Sequence, residues 1–115
     1  MSNPADLDLT VLDDLVAHKP DVLRKYTLIF ISSIQDVLTR IDAALDGDDL
    51  AVLAAMGHRA KSTASSIGAH AFSRQCLLLE TSAKAGDTVV ARAVALQLRP
   101  VFEDIQQKLM AHARV

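Results

Sequence analysis

Between Pro20 and Leu45 the apolar residues fall on a single helical stripe. Leu23, Tyr26, Phe30, Ile34, Val37, Ile41 and Ala44 follow one another at steps of three and four. No strand-like alternation stands out elsewhere, and four glycines and three prolines are all the punctuation that 115 residues contain. A chain patterned this way has to fold helix against helix. Half of its residues are apolar, yet the aromatics amount to three Phe and one Tyr. The core must therefore be mainly Leu, Ile, Val and Ala, which suits closely packed helices. The length is enough for one domain around one core.

The turn and capping signals divide the chain. Residues 1–8 are expected to be a loose tail, and residues 9–115 a single helical domain. Thr10 with Asp13 has the form of a capping box, with Asp in place of the usual Glu or Gln, and opens a short helix from about Leu9 to His18. Pro20 suits the first position of the next helix, where its missing N–H costs nothing. Asp46-Gly47-Asp48 reads as a turn whose last residue caps a helix. That helix ends near Gly68, a residue able to take the left-handed conformation that helix ends favour. Another helix runs from about His70 to Ala85, with Phe72, Cys76, Leu79 and Ala83 on one face. Gly86 stops it, and Asp87 caps the last helix, about Thr88 to Ala113. Pro100 interrupts that helix at a cost of about 3 kcal/mol or more, so a kink is expected between Leu96 and Pro100. Four long helices with short connections predict an all-α fold. Its simplest form is an antiparallel up-and-down four-helix bundle, with the additional short N-terminal helix over one end.

Several function classes are disfavoured. The formal net charge is −2 with no basic block, so no nucleic-acid partner is expected. No apolar run approaches the roughly 20 residues of a membrane span, and the start has neither the basic nor the apolar region of a signal peptide. The single cysteine, Cys76, lies on a core stripe and reads as an inert buried thiol; a cytoplasmic protein is expected. His18, His70 and His112 read as loop or helix-end residues. No Glu-x-x-His or His-x-x-x-His pair is present, so no metal site is expected. There is no glycine-rich phosphate loop, and no serine has the spacing of a nucleophile elbow.

The helix from Asp48 to Ile67 carries the unusual face. Leu53, Met56, Ala60, Ala64 and Ile67 cluster on one side at about 100° per residue. His58 falls nearly opposite, among Ala51, Ala54, Ala55, Lys61, Ser62 and Ser65. An ordinary solvated face would be laced with charge. This low, partly apolar surface suits the landing of a partner. As an exposed histidine with no carboxylate expected nearby, His58 is a poor general base or metal ligand. It can still be a nucleophile, because neutral imidazole attacks phosphorus and the phosphoramidate passes its phosphoryl group on readily. Lys61, about one turn on, supplies a cation, and Ser62, four residues on, a hydrogen-bond donor. An exposed lysine contributes no more than about 1 kcal/mol in the ground state. Its larger effect is on a transition state from which a docked partner excludes water.

Residues 57–80, GHRAKSTASSIGAHAFSRQCLLLE, closely resemble the signature of histidine-containing phosphotransfer (HPt) domains. That signature has a histidine, a lysine three residues later, usually a glycine at the fourth, a second glycine at the tenth, and a Leu-Glu pair on the next helix. Here these positions hold His58, Lys61, Ser62, Gly68, Leu79 and Glu80. The resemblance extends over roughly residues 9–112, and Ala43 to Asp48 resemble the family's turn before its histidine helix. It implies a helical phosphoryl carrier with no catalytic centre and no cofactor of its own. His58 would be phosphorylated, with Lys61 and Ser62 stabilising the phosphate and Ala51, Ala54, Ala55 and Ser65 forming the docking surface. The implied partners are response-regulator receiver domains, which supply the acceptor aspartate and Mg²⁺, and a hybrid sensor kinase. A monomer is expected, since the docking face must stay open.

The sequence departs from the signature twice. Ser62 replaces the usual glycine and adds a side chain beside the histidine. Gly57 replaces a common alanine; glycine in mid-helix costs up to about 1 kcal/mol, and close approach of a neighbouring helix is one reason to have it. Gly68 is the other structural glycine. Glu80 stands where relatives often have Gln, and a carboxylate there would repel phosphate if close. The alternative reading is a non-catalytic adaptor that binds and sequesters a receiver or kinase domain without carrying phosphate.

Overall fold

A computed structural model describes residues 7–115. Five helices follow in order: α1 (Leu9–Leu15), α2 (Pro20–Asp46), α3 (Leu50–Ser66), α4 (His70–Lys84) and α5 (Thr88–Ala113). Pro20 is the first residue of α2, as its missing N–H favours. Asp87 caps α5 by accepting from Val90 N at 3.1 Å. α5 continues through Pro100; both Pro100 and Leu96, whose carbonyl loses its partner there, are exposed, so water can reach that oxygen.

Two caps differ from expectation. α1 is capped by Asp8, whose carboxylate accepts from Thr10 N at 3.1 Å and from the Thr10 hydroxyl at 2.6 Å. Thr10 is thus the donor to the cap rather than the cap. α3 is capped by Asp49, which accepts from Val52 N at 3.2 Å, while Asp48 takes φ +50° within the turn. In both cases an acidic residue one or two positions away competes for the same orphan N–H groups. Leu7 and Asp8, expected to belong to a loose tail, are held in place. Leu7 bridges to Ala69, and Asp8 N donates to the Gly68 carbonyl at 2.9 Å; residues 1–6 lie outside the described residues.

The long helices form an up-and-down bundle in which α2 packs on α3, α3 on α4, α4 on α5 and α5 on α2. One end holds the start of α2, the end of α3 and the end of α5. α1 covers it, burying Leu12 and Val16 and pairing Asp13 with His112 at 2.7 Å. At the other end, Arg92 of α5 donates to the Leu45 carbonyl at 3.0 Å and pairs with Asp48 at 3.3 Å. The core is aliphatic around three rings. Phe102 of α5 lies 6.0 Å from Phe30 of α2 and 5.8 Å from Phe72 of α4, between ring centroids.

The core stripes hold with local changes. Phe72, Cys76, Leu79 and Ala83 are all buried on α4. On α2 Tyr26 is exposed and Thr27 is buried in its place, while Ile31, Leu38 and Leu45 widen the stripe. On α3 Met56 is only half-buried, while Ala54 and Gly57 are buried. The α3 surface is rotated inward on that flank because α4 packs against it, as the site makes plain.

Candidate functional site

The site forms where α4 lies directly on α3. A Cβ built on Gly57 would sit 2.7 Å from the Cys76 carbonyl oxygen and 2.9 Å from the Glu80 nitrogen, both backbone atoms of α4. Only a residue without a side chain lets the helices meet at this level. The contact sets Glu80 beside His58, the residue that follows Gly57. Cys76 is sealed beneath, and burial pushes its thiol up to about 12, so it takes no part in reactions near neutrality.

Glu80 is the centre of the arrangement. Its side chain is only 6% exposed, against 65% for His58. Oε2 lies 2.9 Å from His58 Nδ1 and 2.9 Å from Lys84 Nζ; Oε1 lies 3.0 Å from Lys61 Nζ. The Lys84 and Lys61 ammonium groups hold the Glu80 carboxyl down at about 2. Glu80 is therefore an anion that can only accept, so the proton between it and the imidazole belongs to Nδ1. In the neutral imidazole Nε2 then keeps its lone pair, and the ring is presented to solvent. That is the tautomer and orientation a nucleophilic imidazole requires.

The structure brings some expected site residues together and moves others. His58, Lys61, Ala51, Ala55, Ser62 and Ser65 all lie on the outward side of α3, although Lys61 is half-buried against Glu80. Ala54 does not lie on an open face: it is 7% exposed. It lies three residues before Gly57, on the flank that α4 covers. With Ala51, Ala55, His58, Glu80 and Lys84 it lines a concavity of about 320 Å³ beside the imidazole. Gly68 has φ +84° and passes hard against the Asp8 carbonyl, so it joins the end of α3 to the N-terminal segment.

Two readings of the sequence are corrected here. His58 does have a carboxylate beside it, from a helix distant in sequence. Glu80, which carries a charge expected to repel phosphate, is neutralised by two lysines. Lys84 was not foreseen as part of the site. Its position four residues after Glu80 on one helix was a legible signal of pairing; that the pair would stand next to His58 depended on how α3 and α4 dock.

Comparison with known proteins identifies the family. Residues 25–109 match the Hpt domain family. The crystal structure of histidine-containing phosphotransfer protein B (HptB) from Pseudomonas aeruginosa PAO1 superposes with a TM-score of 0.88 at 26% identity, covering 95% of this chain and 95% of that one. No curated protein sequence gives a significant match. The match to the family spans most of the chain, and the chain belongs to the Hpt domain family. It is a histidine phosphotransfer protein of phosphorelay signalling.

Proposed function

We propose that His58 is the residue that carries the phosphoryl group, on Nε2, and that its exchange partner is the aspartate of a response-regulator receiver domain. The observation that carries this reading is the 2.9 Å contact of His58 Nδ1 with the ionised Glu80 on an otherwise exposed ring. In the transfer, the Nε2 lone pair forms the N–P bond. The P–O bond to the partner's aspartate breaks, and its electrons return to that carboxylate. The imidazole gains positive charge and keeps its Nδ1 proton, facing Glu80 as counterion. On the return step the N–P electrons go back to Nε2 and the ring is neutral again. Glu80 thus favours a cationic, readily discharged phosphoimidazole over an inert one.

The receiver supplies Mg²⁺ and the acceptor; this chain is a carrier, and needs no cofactor of its own. Lys61 adds positive charge from its place on Glu80 Oε1, and Ser62 stands one helical turn beyond the histidine. Ala51, Ala55 and Ser65 keep the landing surface low, with Ala54 in the floor of the adjoining concavity. A hybrid sensor kinase is the phosphoryl source at the head of the relay. The carrier is monomeric, a reading supported by the need to keep the His58 face open to successive partners, and cytoplasmic, in keeping with the single buried thiol of Cys76.

The test is phosphotransfer from a panel of phosphorylated receiver domains to wild type and to His58→Gln. Label on wild type alone, stable in base and lost in acid, is the expected result. Lys61→Ala should slow labelling by about tenfold without stopping it. Label on His58→Gln would sink the assignment.

A further inference from the structure

A cavity of about 350 Å³ lies at the end of the bundle that α1 covers. It opens between the turn from α1 to α2, the first turns of α2 and the end of α5. None of its lining residues belongs to α3 or α4, and none is shared with the concavity beside the imidazole. Val16 and Ala113, both buried, and the half-buried Leu23 supply its apolar lining. A volume of this size holds a small organic molecule.

The polar lining is mainly basic, with Lys19, Arg24, His112 and Arg114 against Asp13. The carboxylates on this side are already held: Asp13 by His112 at 2.7 Å, Asp14 by His18 at 3.1 Å, and Asp21 by Arg24. Lys19 and Arg114 are left with no ion pair and no side-chain hydrogen bond among the described residues. Unusual backbone presents both of them. Lys19 follows Ala17 and His18, at φ +54° and +58°, and Arg114 itself takes φ +59° where α5 ends. Glycine is the usual residue at a helix end of this conformation, and a side chain there is strained. At position 114 that strain keeps a guanidinium beside the cavity. Two unpaired cations on one cavity call for a ligand with two negative charges.

We propose that this cavity binds a small phosphate monoester with an apolar body. The dianionic phosphate pairs with Lys19 and Arg114, whose guanidinium fork matches two phosphate oxygens. The body lies against Val16, Leu23 and Ala113. A carboxylate or a sulfonate would match only one of the two charges. The site is separate from the phosphoryl carrier at His58, and its ligand ties the α1–α2 turn to the end of α5.

Phenyl phosphate is the probe, since it joins a dianionic phosphate to an apolar ring. Titrated into ¹⁵N-labelled protein, it should move the amide resonances of residues 16–24 and 110–114 and raise the thermal midpoint as its concentration rises. Lys19→Met and Arg114→Gly should each weaken it by about tenfold. Arg114→Gly should melt no lower than wild type, because glycine takes the left-handed conformation without strain. Inorganic phosphate, which lacks the ring, and benzenesulfonate, which carries a single charge, should each bind about tenfold more weakly or worse. His58→Gln should bind phenyl phosphate as wild type does, so this site and the carrier assignment stand or fall separately. Resonance shifts confined to the residues of α3 and α4 around His58 would overturn the proposal. So would an affinity unchanged in both variants, or inorganic phosphate or benzenesulfonate binding as tightly as phenyl phosphate.

Discussion

Gly57 and Glu80 show how much single positions decide here. A methyl group on Gly57 would meet the backbone of α4 at 2.7 and 2.9 Å, and backbone cannot rotate away. Alanine's better helix propensity returns at most about 1 kcal/mol, against about 1–3 kcal/mol for overpacking. Gly57→Ala should lower stability by about 1–2 kcal/mol in urea unfolding. It should also slow phosphotransfer, because the displaced atoms include the Glu80 nitrogen. Wild-type stability in this variant would mean that α4 yields freely. Glu80 itself makes stability depend on acidity. Its carboxyl is depressed from 4.5 to about 2, so the folded state binds the proton less readily than the unfolded chain. The stabilisation is complete above pH 4.5 and is lost as pH falls toward 2. Thermal melts of wild type and Glu80→Gln across that window should show a difference that diminishes with acidification; a constant difference would contradict the ion cluster.

At the scale of elements, the decisive joint is the one between α3 and the N-terminal segment. Gly68 ends α3 with φ +84° and lies under the Asp8 carbonyl. Its own carbonyl accepts from Asp8 N, and Leu7 bridges to Ala69 beside it. A left-handed conformation costs a non-glycine residue about 1–2 kcal/mol, and a Cβ here would also push Asp8 away. Gly68→Ala should therefore destabilise by about 2 kcal/mol or more. Amide exchange should locate the damage, with the Asp8 N–H protected in wild type and fast in the variant. Protection retained at Asp8 would show that the joint tolerates a side chain. The position of this glycine was legible as a helix stop. Its second task was not, because the segment that packs on it lies some 60 residues earlier in the chain and carries no apolar pattern that names its partner.

For the molecule as a whole, one core joins all five helices, and a polar group inside it acts on the global unfolding equilibrium. Thr27 is 1% exposed, and its hydroxyl has no hydrogen-bond partner among the described residues. An unsatisfied buried hydroxyl costs about 1–3 kcal/mol. Thr27→Val, nearly the same in shape, should raise the urea midpoint by the equivalent of about 1 kcal/mol with an unchanged slope. A fall in the midpoint would reveal a role for the hydroxyl. Thr27 also illustrates why the α2 stripe was read one residue off at this point. Tyr26 fits the period and is apolar by type, yet it can leave its hydroxyl and much of its ring in water, while the smaller Thr27 fits where the helices converge.

Helix number, order and approximate limits follow from the sequence alone, because periodicity, prolines and capping residues act within a few positions of one another. The exposed His58 and the lysine one turn away were legible for the same reason: both lie on one helix, and a wheel relates them. The docking of α3 on α4 was not, since it depends on contacts between residues about twenty apart in sequence. Only the tertiary structure buries Ala54 and Gly57, sets Glu80 against Nδ1 of His58, and brings Lys84 to the same carboxylate. A local pattern can identify a nucleophile, but the charges that set its tautomer come from another helix, and the chain's packing determines which they are.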